Sequence, residues 1–185
     1  MHEAMIINPK DSHWAPDNAD ALIQLLLRIG LIEHPADTRY EYGQQFSRLI
    51  SFLGCSPTLY RTDDNGTMFP VYLPHATEQP VLLAGDAARP HCRSCNRPVQ
   101  QWQTHVQNNQ LVCPHCGQQS NTQELRWRRS GCFARAFIII DGIMDGIAVP
   151  SDVLFAELRT LGGGDWDYGY YRGNQPWQEQ IAGKL

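Results

Sequence analysis

The sequence predicts an α+β fold in which a pair of N-terminal helices packs on a small, mainly antiparallel sheet that carries an inserted cysteine-rich hairpin. Three observations lead to this prediction. Apolar residues recur at helical spacing over the first 53 residues, strand-like patterns dominate from residue 58 onward, and two Cys-x-x-Cys pairs stand between the strands. Helices and strands that are grouped along a chain favour α+β over an alternating parallel arrangement.

The composition limits the class of protein. A chain of 185 residues with 42% hydrophobic residues is long enough for one domain, or for one domain with a small appended module. No apolar run approaches the roughly 18 to 20 residues of a membrane span, and the first residues show no secretory signal pattern. We therefore expect a cytoplasmic protein without a membrane partner. In that reducing compartment, paired cysteines are typically metal ligands or redox centres.

Two amphipathic helices are predicted near the N-terminus. In the first, over residues 19–31, Asp17 or Asn18 can cap the first turn and Gly30 can end the helix. The second, over residues 40–53, also has one apolar face. The apolar positions of the two helices are Leu22, Leu25, Leu26, Ile29, Tyr42, Phe46, Leu49, Ile50 and Leu53. We expect the two faces to pack together.

A β-hairpin is predicted next along the chain. Its strands, at residues 58–62 and 67–73, flank a turn whose Asn65-Gly66 pair supplies the positive φ angles of a tight hairpin. Pro70 cannot donate a backbone hydrogen bond, so the second strand should lie at a sheet edge or carry a bulge.

The C-terminal part is predicted to add strands and a third helix. Residues 124–128 alternate as on a half-exposed strand, and residues 133–140 form a β-branched and aromatic run typical of a buried strand. A helix over residues 152–161 follows Ser151 as its cap. The aromatic face of the last predicted strand consists of Trp166, Tyr168 and Tyr170.

The two Cys-x-x-Cys pairs are the strongest chemical signal in the chain. Their members are Cys92, Cys95, Cys113 and Cys116, with seventeen residues between the pairs. This interval fits a tetrahedral zinc site formed by two adjacent turns, which should reverse at Asn96 and Gly117 because these residues favour left-handed backbone. Four thiolates leave no metal position open for water, so we expect one structural Zn²⁺. A redox role of the pairs is the alternative.

The segment from residue 89 to residue 122 resembles a zinc ribbon, a small β-hairpin module, with Asn108-Asn109 as its turn. The resemblance covers 34 of 185 residues. Zinc ribbons occur in transcription and translation machinery, in adaptors and as stiffening inserts in enzymes, so the resemblance implies a module and not a reaction. The predicted division is a main domain formed by residues 1–88 and 124–185, with the ribbon inserted at residues 89–123.

The remaining histidines and cysteines next to apolar or cysteine-rich stretches have simpler interpretations. His91 and His115 adjoin the cysteine pairs, but four cysteines already complete the site, so we expect both histidines to be exposed residues of the metal-binding turns. Cys55 and Cys132 are unpaired in sequence and lie beside apolar stretches. We interpret them as small buried hydrophobic residues and not as nucleophiles.

The charge distribution is asymmetric. Residues 89–135 contain seven arginines, no lysine and the single acid Glu124, a net charge of +6, whereas the rest of the chain carries −10. Such an asymmetry indicates an anionic partner. The candidate partner or nucleic-acid contacts are Arg93, Arg97, Arg126, Trp127, Arg128 and Arg129. The alternative is that the protein's own acids neutralise these arginines.

Three functional hypotheses follow. The first is a non-catalytic protein-interaction or adaptor protein with a structural zinc site, in which Tyr171 or Trp177 can be an exposed interface anchor. The second is a nucleic-acid-binding regulator that uses the arginines of the ribbon and the following strand. The third is an enzyme with a zinc-braced pocket between the helical half and the C-terminal strands. The sequence contains no recognisable catalytic motif, which favours the first hypothesis.

Overall fold

A computed structural model describes residues 1–36, 39–54 and 69–182, and these residues form thirteen strands and four α-helices. The strands are β1 His2–Pro9, β2 Ile32–Ala36, β3 Arg39–Tyr42, β4 Ile50–Phe52, β5 Val71–Tyr72, β6 Val81–Ala84, β7 Val106–Gln107, β8 Gln110–Val112, β9 Gln119–Asn121, β10 Gly131–Ala134, β11 Ile138–Asp141, β12 Ala148–Pro150 and β13 Trp166–Gly173. The helices are α1 Ala19–Arg28, α2 Phe46–Leu49, α3 Asp152–Arg159 and α4 Gln178–Ala182.

A six-stranded sheet is the centre of the fold, with strand order β13-β1-β11-β5-β3-β2 and antiparallel pairing between all neighbours. The N-terminal strand β1 lies inside this sheet. It pairs with β13 along its whole length, from His2 opposite Gly173 to Pro9 opposite Trp166, and with β11 on its other side. The sequence therefore forms an α+β protein whose first strand joins the C-terminal strands.

Both faces of the sheet are buried around β1. Because neighbouring side chains of a strand point to opposite faces, Met5 and Ile7 enter one core and Ala4 and Ile6 enter another. Helices α1 and α3 cover the first face, whereas the β6–β10 pair and Trp177 cover the second. This double coverage explains why β1 is continuously apolar from residue 4 to residue 7.

The predicted N-terminal helical pair is wrong. The chain begins with strand β1, for which the sequence suggested no element. The first helix is confirmed as α1, with the Asn18 side chain accepting from the Asp20 backbone N–H at 2.9 Å. The predicted helix at residues 40–53 is instead β3, the short α2 and β4. The Gly43 N–H donates to the Leu31 carbonyl at 2.8 Å, and a Cβ at Gly43 would lie 2.4 Å from the Gly30 carbonyl oxygen, so tertiary contacts with the end of α1 replace a helical turn there.

The C-terminal predictions are partly confirmed. Helix α3 has Ser151 as its N-cap, and β13 is the predicted aromatic strand. The predicted strand at 133–140 is divided into β10 and β11, which belong to different sheets. Residues 124–128 form no strand and only an isolated bridge between Arg126 and His91, because the 3-10 turn at Thr122–Glu124 includes the first of them and Arg128 has a φ of +53°.

Three further predictions concern the hairpin at residues 58–73, the exposure of two aromatic residues and the absence of a membrane span. The predicted turn at Asn65-Gly66 and the first strand of that hairpin lie outside the described residues, whereas β5 lies in its second strand. Tyr171 and Trp177 are buried, which contradicts their interpretation as exposed anchors. No helix within the described parts of the chain is long and apolar enough to cross a membrane.

Candidate metal centre

The cysteine-rich segment, residues 89–123, is called the ribbon below, and the described residues outside it are called the body. The ribbon contains a three-stranded antiparallel sheet with the order β7-β8-β9. Between β7 and β8, Asn108 and Asn109 have φ angles of +50° and +62°. Two successive positive φ angles match the twist of a tight hairpin, so the predicted turn is confirmed.

Two turns with the same backbone pattern carry the cysteines. In the first, the Cys92 N–H donates to the Arg97 carbonyl at 3.0 Å, and the Asn96 N–H donates to the Cys92 carbonyl at 2.9 Å. In the second, Cys113 donates to Gln118 and Gly117 donates to Cys113, both at 2.9 Å. The chain reverses at the two predicted left-handed positions, which have φ angles of +56° and +72°.

These turns bring the four thiol groups together. The Sγ atoms of Cys92 and Cys116 are 3.8 Å apart, as are those of Cys95 and Cys113, and all four lie within 4.8 Å of one another. Sulfurs at about 2.3 Å from a tetrahedral zinc are about 3.8 Å apart, so the arrangement fits a four-coordinate metal ion. Within the described residues, this is the one group of three or more candidate ligands that can hold a metal.

The thiols of this cluster differ in their tendency to ionise. The backbone N–H of Cys95 stabilises the Cys92 thiolate and lowers the pKa of Cys92 to about 7. The Gln118 backbone N–H acts in the same direction on Cys116, but desolvation and the neighbouring thiols raise the pKa of Cys116 to about 11. Four adjacent thiolates require a compensating cation, and metal coordination deprotonates such thiols.

The two histidines beside the cysteines bind backbone oxygens. The His91 Nδ1 atom donates to the Asn96 carbonyl at 2.9 Å, and the His115 Nε2 atom donates to the Pro98 carbonyl at 3.2 Å. A carbonyl oxygen can only accept, which assigns the donor role to each ring nitrogen. The ring nitrogens that form these bonds are thus engaged by the backbone, and the candidate metal-ligand cluster contains, among the described residues, the four cysteines alone.

A small core attaches the ribbon to the body. The buried Trp127 ring meets Trp102 of the ribbon edge-on, with ring centroids 4.8 Å apart, and its Nε1 donates to the Thr122 carbonyl at 2.7 Å. Ala84 and Ala88 pack in the same core. Trp127, a predicted partner contact, thus lies in the interior. Sequence reasoning missed these attachment residues, although a row of small residues before the first cysteine pair was the available signal.

Three of the seven arginines in residues 89–135 are engaged within the protein. Arg129 lies 3.3 Å from the Asp167 carboxylate and stacks over the Tyr168 ring. Arg135 donates to backbone carbonyls, and Arg126 donates to the Asn96 side chain at 3.1 Å. Only Arg129 forms an ion pair with an acid of the described chain, so internal neutralisation explains one arginine of the seven.

The side chains of the other four arginines have no hydrogen-bond or ion-pair partner among the described residues. They are exposed and consist of Arg89, Arg93, Arg97 and Arg128. Two of the acids that follow this segment in sequence pair elsewhere: Glu157 lies 3.7 Å from Arg28, and Asp165 lies 2.8 Å from Arg159. The ribbon and the residues that follow it therefore present uncompensated positive charge to solvent.

The two unpaired cysteines differ in what the structure describes. Cys132 is buried between β1 and β13, and burial raises the pKa of its thiol to about 12. A neutral buried thiol is a small hydrophobic group, as the sequence predicted. Cys55 lies outside the described residues.

The fold and the site define an α+β protein with a four-cysteine cluster that can bind a metal ion. Comparison with protein-family models, with curated proteins and with solved structures finds no match for this chain.

Proposed function

We propose that the four cysteines bind one Zn²⁺ as a structural ion and that residues 89–123 are a zinc ribbon inserted into the body. The 3.8 Å separations between the sulfurs of the two turns support this proposal, because they equal the edge of a zinc–thiolate tetrahedron. Tetrahedral sulfur ligation selects zinc or iron, and four protein ligands leave no position for a reacting water. The proposal places the chain in the cytoplasm, where its thiols stay reduced.

Metal analysis tests this site. We expect protein purified under reducing conditions to contain about one zinc per chain, and the Cys113→Ser variant to contain much less because a tetrahedral site needs all four ligands. Cys132→Ser is the matched control, since it removes a buried thiol outside the cluster and should retain the zinc. Iron in the wild-type protein, or equal zinc in both variants, would contradict the proposal.

We further propose a non-catalytic interaction protein whose ribbon binds an acidic protein surface. The exposed and unpartnered Arg93 and Arg97, which flank the second cysteine of the first pair, are the observation that supports this function. The sequence outside residues 89–135 carries −10 and repels an extended polyanion, whereas a local acidic patch on a partner protein touches only the ribbon. Complementary charge chiefly increases the association rate and the specificity of such contacts.

Nucleic acid is the second candidate partner. Arginine guanidinium groups are planar, bind phosphate through two parallel hydrogen bonds and stack on bases. The same exposed arginines therefore also suit the phosphates and bases of a short nucleic-acid single strand. This candidate differs from the first in its salt dependence, since each neutralised phosphate contributes a logarithmic slope of about −0.7 on single strands and about −0.9 on duplex DNA.

A binding assay separates the two candidates. The probes are a fluorescent glutamate-rich peptide, a single-stranded oligonucleotide and a duplex, each titrated with wild-type protein over a salt series. We expect the peptide to bind most tightly and Arg93→Ala/Arg97→Ala to weaken its binding about tenfold, since two exposed ion pairs of about 0.7 kcal/mol each amount to about 1.4 kcal/mol. Arg28→Ala/Arg159→Ala, which removes two body arginines, should have little effect. Tighter oligonucleotide binding would favour the second candidate, and identical affinities in all variants would reject both.

A further inference from the structure

A cleft of about 790 Å³ opens where the ribbon meets the body. Residues 86–89, which connect β6 to the first cysteine turn, form one wall, and the turn at residues 127–130 forms another. Tyr170 and Arg172 of β13 line it from the body, and Gln100 and Gln101 line it from the ribbon. Its volume lies within the range of about 300 to 1,000 Å³ that is typical of small-molecule sites.

Positive charge dominates this cleft. Four arginines line it, and the acidic lining residues are two, Asp86 and Asp145. Arg89 and Arg128 have no hydrogen-bond or ion-pair partner within the described parts of the chain. The other two arginines each pair with an acid outside the lining: Arg129 with Asp167, and Arg172 with Glu3 at 3.7 Å. The Arg129 side chain remains 49% exposed and the Arg172 side chain 57% exposed. All four guanidinium groups therefore retain donors for a ligand.

The turn that holds two of these arginines has a fixed and unusual backbone. Arg128 has a φ of +53°, a left-handed conformation that residues with a Cβ rarely adopt. The Ser130 N–H and Oγ both donate to the Trp127 carbonyl, at 3.0 and 2.8 Å, and the Tyr170 N–H donates to the Arg129 carbonyl at 2.6 Å. Strained positions that the surroundings enforce are frequent at binding sites. Here the hydrogen bonds of Ser130 and Tyr170 hold Arg128 at the cleft in one backbone conformation.

We propose that this cleft binds a small organic phosphate, meaning a phosphate monoester of a polar molecule such as a sugar or a nucleoside. Guanidinium forks bind phosphate oxygens in pairs, and Arg89 and Arg128, which line the cleft without an ion-pair partner in the described chain, offer such forks. The volume exceeds what an inorganic anion fills. The remaining lining, with Gln100, Gln101, Asp86 and Asp145, offers acceptors and donors for the hydroxyl and amine groups of the organic part. This site is separate from Arg93 and Arg97, on which the proposed protein contact depends.

Titration of the full-length, zinc-loaded protein followed by ¹H–¹⁵N NMR tests the site. The probes are inorganic phosphate, adenosine 5′-monophosphate and glucose 6-phosphate, with adenosine and glucose as unphosphorylated controls. We expect saturable binding of at least one ester. The shifts should be confined to the Trp127 indole N–H and to the amides of the cleft lining, which are those of residues 86–89, 100–101, 127–130, 145, 170 and 172. Adenosine and glucose should cause no shifts. Because the shift map uses wild-type protein, it stays decisive even if a variant folds poorly.

Two double variants distinguish binding in the cleft from a general effect of positive charge on affinity. Arg89→Ala/Arg128→Gly removes both unpaired cleft arginines, and glycine retains the left-handed turn; we expect its affinity for the ester to fall about tenfold or more. Arg93→Ala/Arg97→Ala removes the same charge outside the cleft and should bind the ester unchanged. Equal losses in both variants, shifts elsewhere on the protein, or no saturable ester binding would overturn the proposal. So would equally tight binding of inorganic phosphate, or binding restricted to a 5′-phosphorylated oligonucleotide.

Discussion

Removal of the metal ion should unfold the ribbon while the six-stranded sheet of the body remains folded. The strands of the ribbon contain only two or three residues each, and the core beneath them is the smallest of the three in the protein. Coordination by four thiolates contributes on the order of 10 kcal/mol to folding in comparable sites, more than so small a core can replace. Cys113→Ser and chelation of the wild-type protein should therefore have the same local effect.

Hydrogen exchange measures this effect residue by residue. In the metal-loaded protein, the Leu111 amide of β8 should be protected, and both chelation and Cys113→Ser should abolish that protection. The Ile6 amide of β1 should stay protected, because β1 is held between β11 and β13. Cys132→Ser serves as the control, with Leu111 protection retained. Loss of protection in β1 together with β8 would show one cooperative unit and contradict the local unfolding predicted here.

The cysteine cluster was predictable because its information is local. The spacing within each Cys-x-x-Cys pair, together with Asn96 and Gly117 at the reversal points, specifies the backbone of the two turns without reference to the rest of the chain. The same holds for α1 and α3, whose caps Asn18 and Ser151 adjoin their own helices. Short-range rules succeed where the interactions that form an element lie within that element.

The body was harder to predict because its strands are defined by distant partners. Strand β1 pairs with residues more than 130 positions away, and its apolar run has no periodicity when both faces are buried. Residues 40–53 have helical spacing of apolar side chains, yet Tyr40 pairs with Val71, and Phe52 pairs with Ala148. These tertiary pairings override a local amphipathic pattern. The cleft is likewise invisible in sequence, since its lining comes from six separated segments.

The arginines illustrate the difference between composition and placement. Their excess over acids in residues 89–135 was visible in the sequence, but the sequence could not assign which of them remain free. In the fold, Arg129 is used to hold the turn against β13, whereas Arg93, Arg97, Arg89 and Arg128 have no ion-pair partner in the described chain. The free arginines lie on the ribbon and at its junction with the body. The excess of arginine seen in the sequence is thus divided between two surfaces, one on the first cysteine turn and one in the cleft.

Gly85→Ala should destabilise the whole body and open the cleft. Gly85 follows β6 directly and is buried against β13, where an added Cβ would lie 1.9 Å from the Arg172 carbonyl oxygen and 2.4 Å from its carbon. These atoms belong to backbone that pairs with β1 along its full length, so they cannot move aside as a flexible side chain could. Residues 86–89 must therefore shift away from β13, which separates the wall that carries Arg89 from the wall that carries Arg128.

The expected cost of Gly85→Ala is about 3 kcal/mol or more, at the upper end of what overpacking causes. For a chain of this length that corresponds to a fall in Tm of about 6 to 12 °C. Thermal unfolding should be followed at saturating zinc, because metal binding to the native state itself raises Tm. Ala87→Ser is the matched control, since Ala87 is exposed two residues away and a surface change there should cost less than about 0.5 kcal/mol. A Tm within about 2 °C of wild type for Gly85→Ala would contradict the close crossing of the two backbones, because overpacking of at least 1 kcal/mol shifts Tm by more than that in a chain of this size.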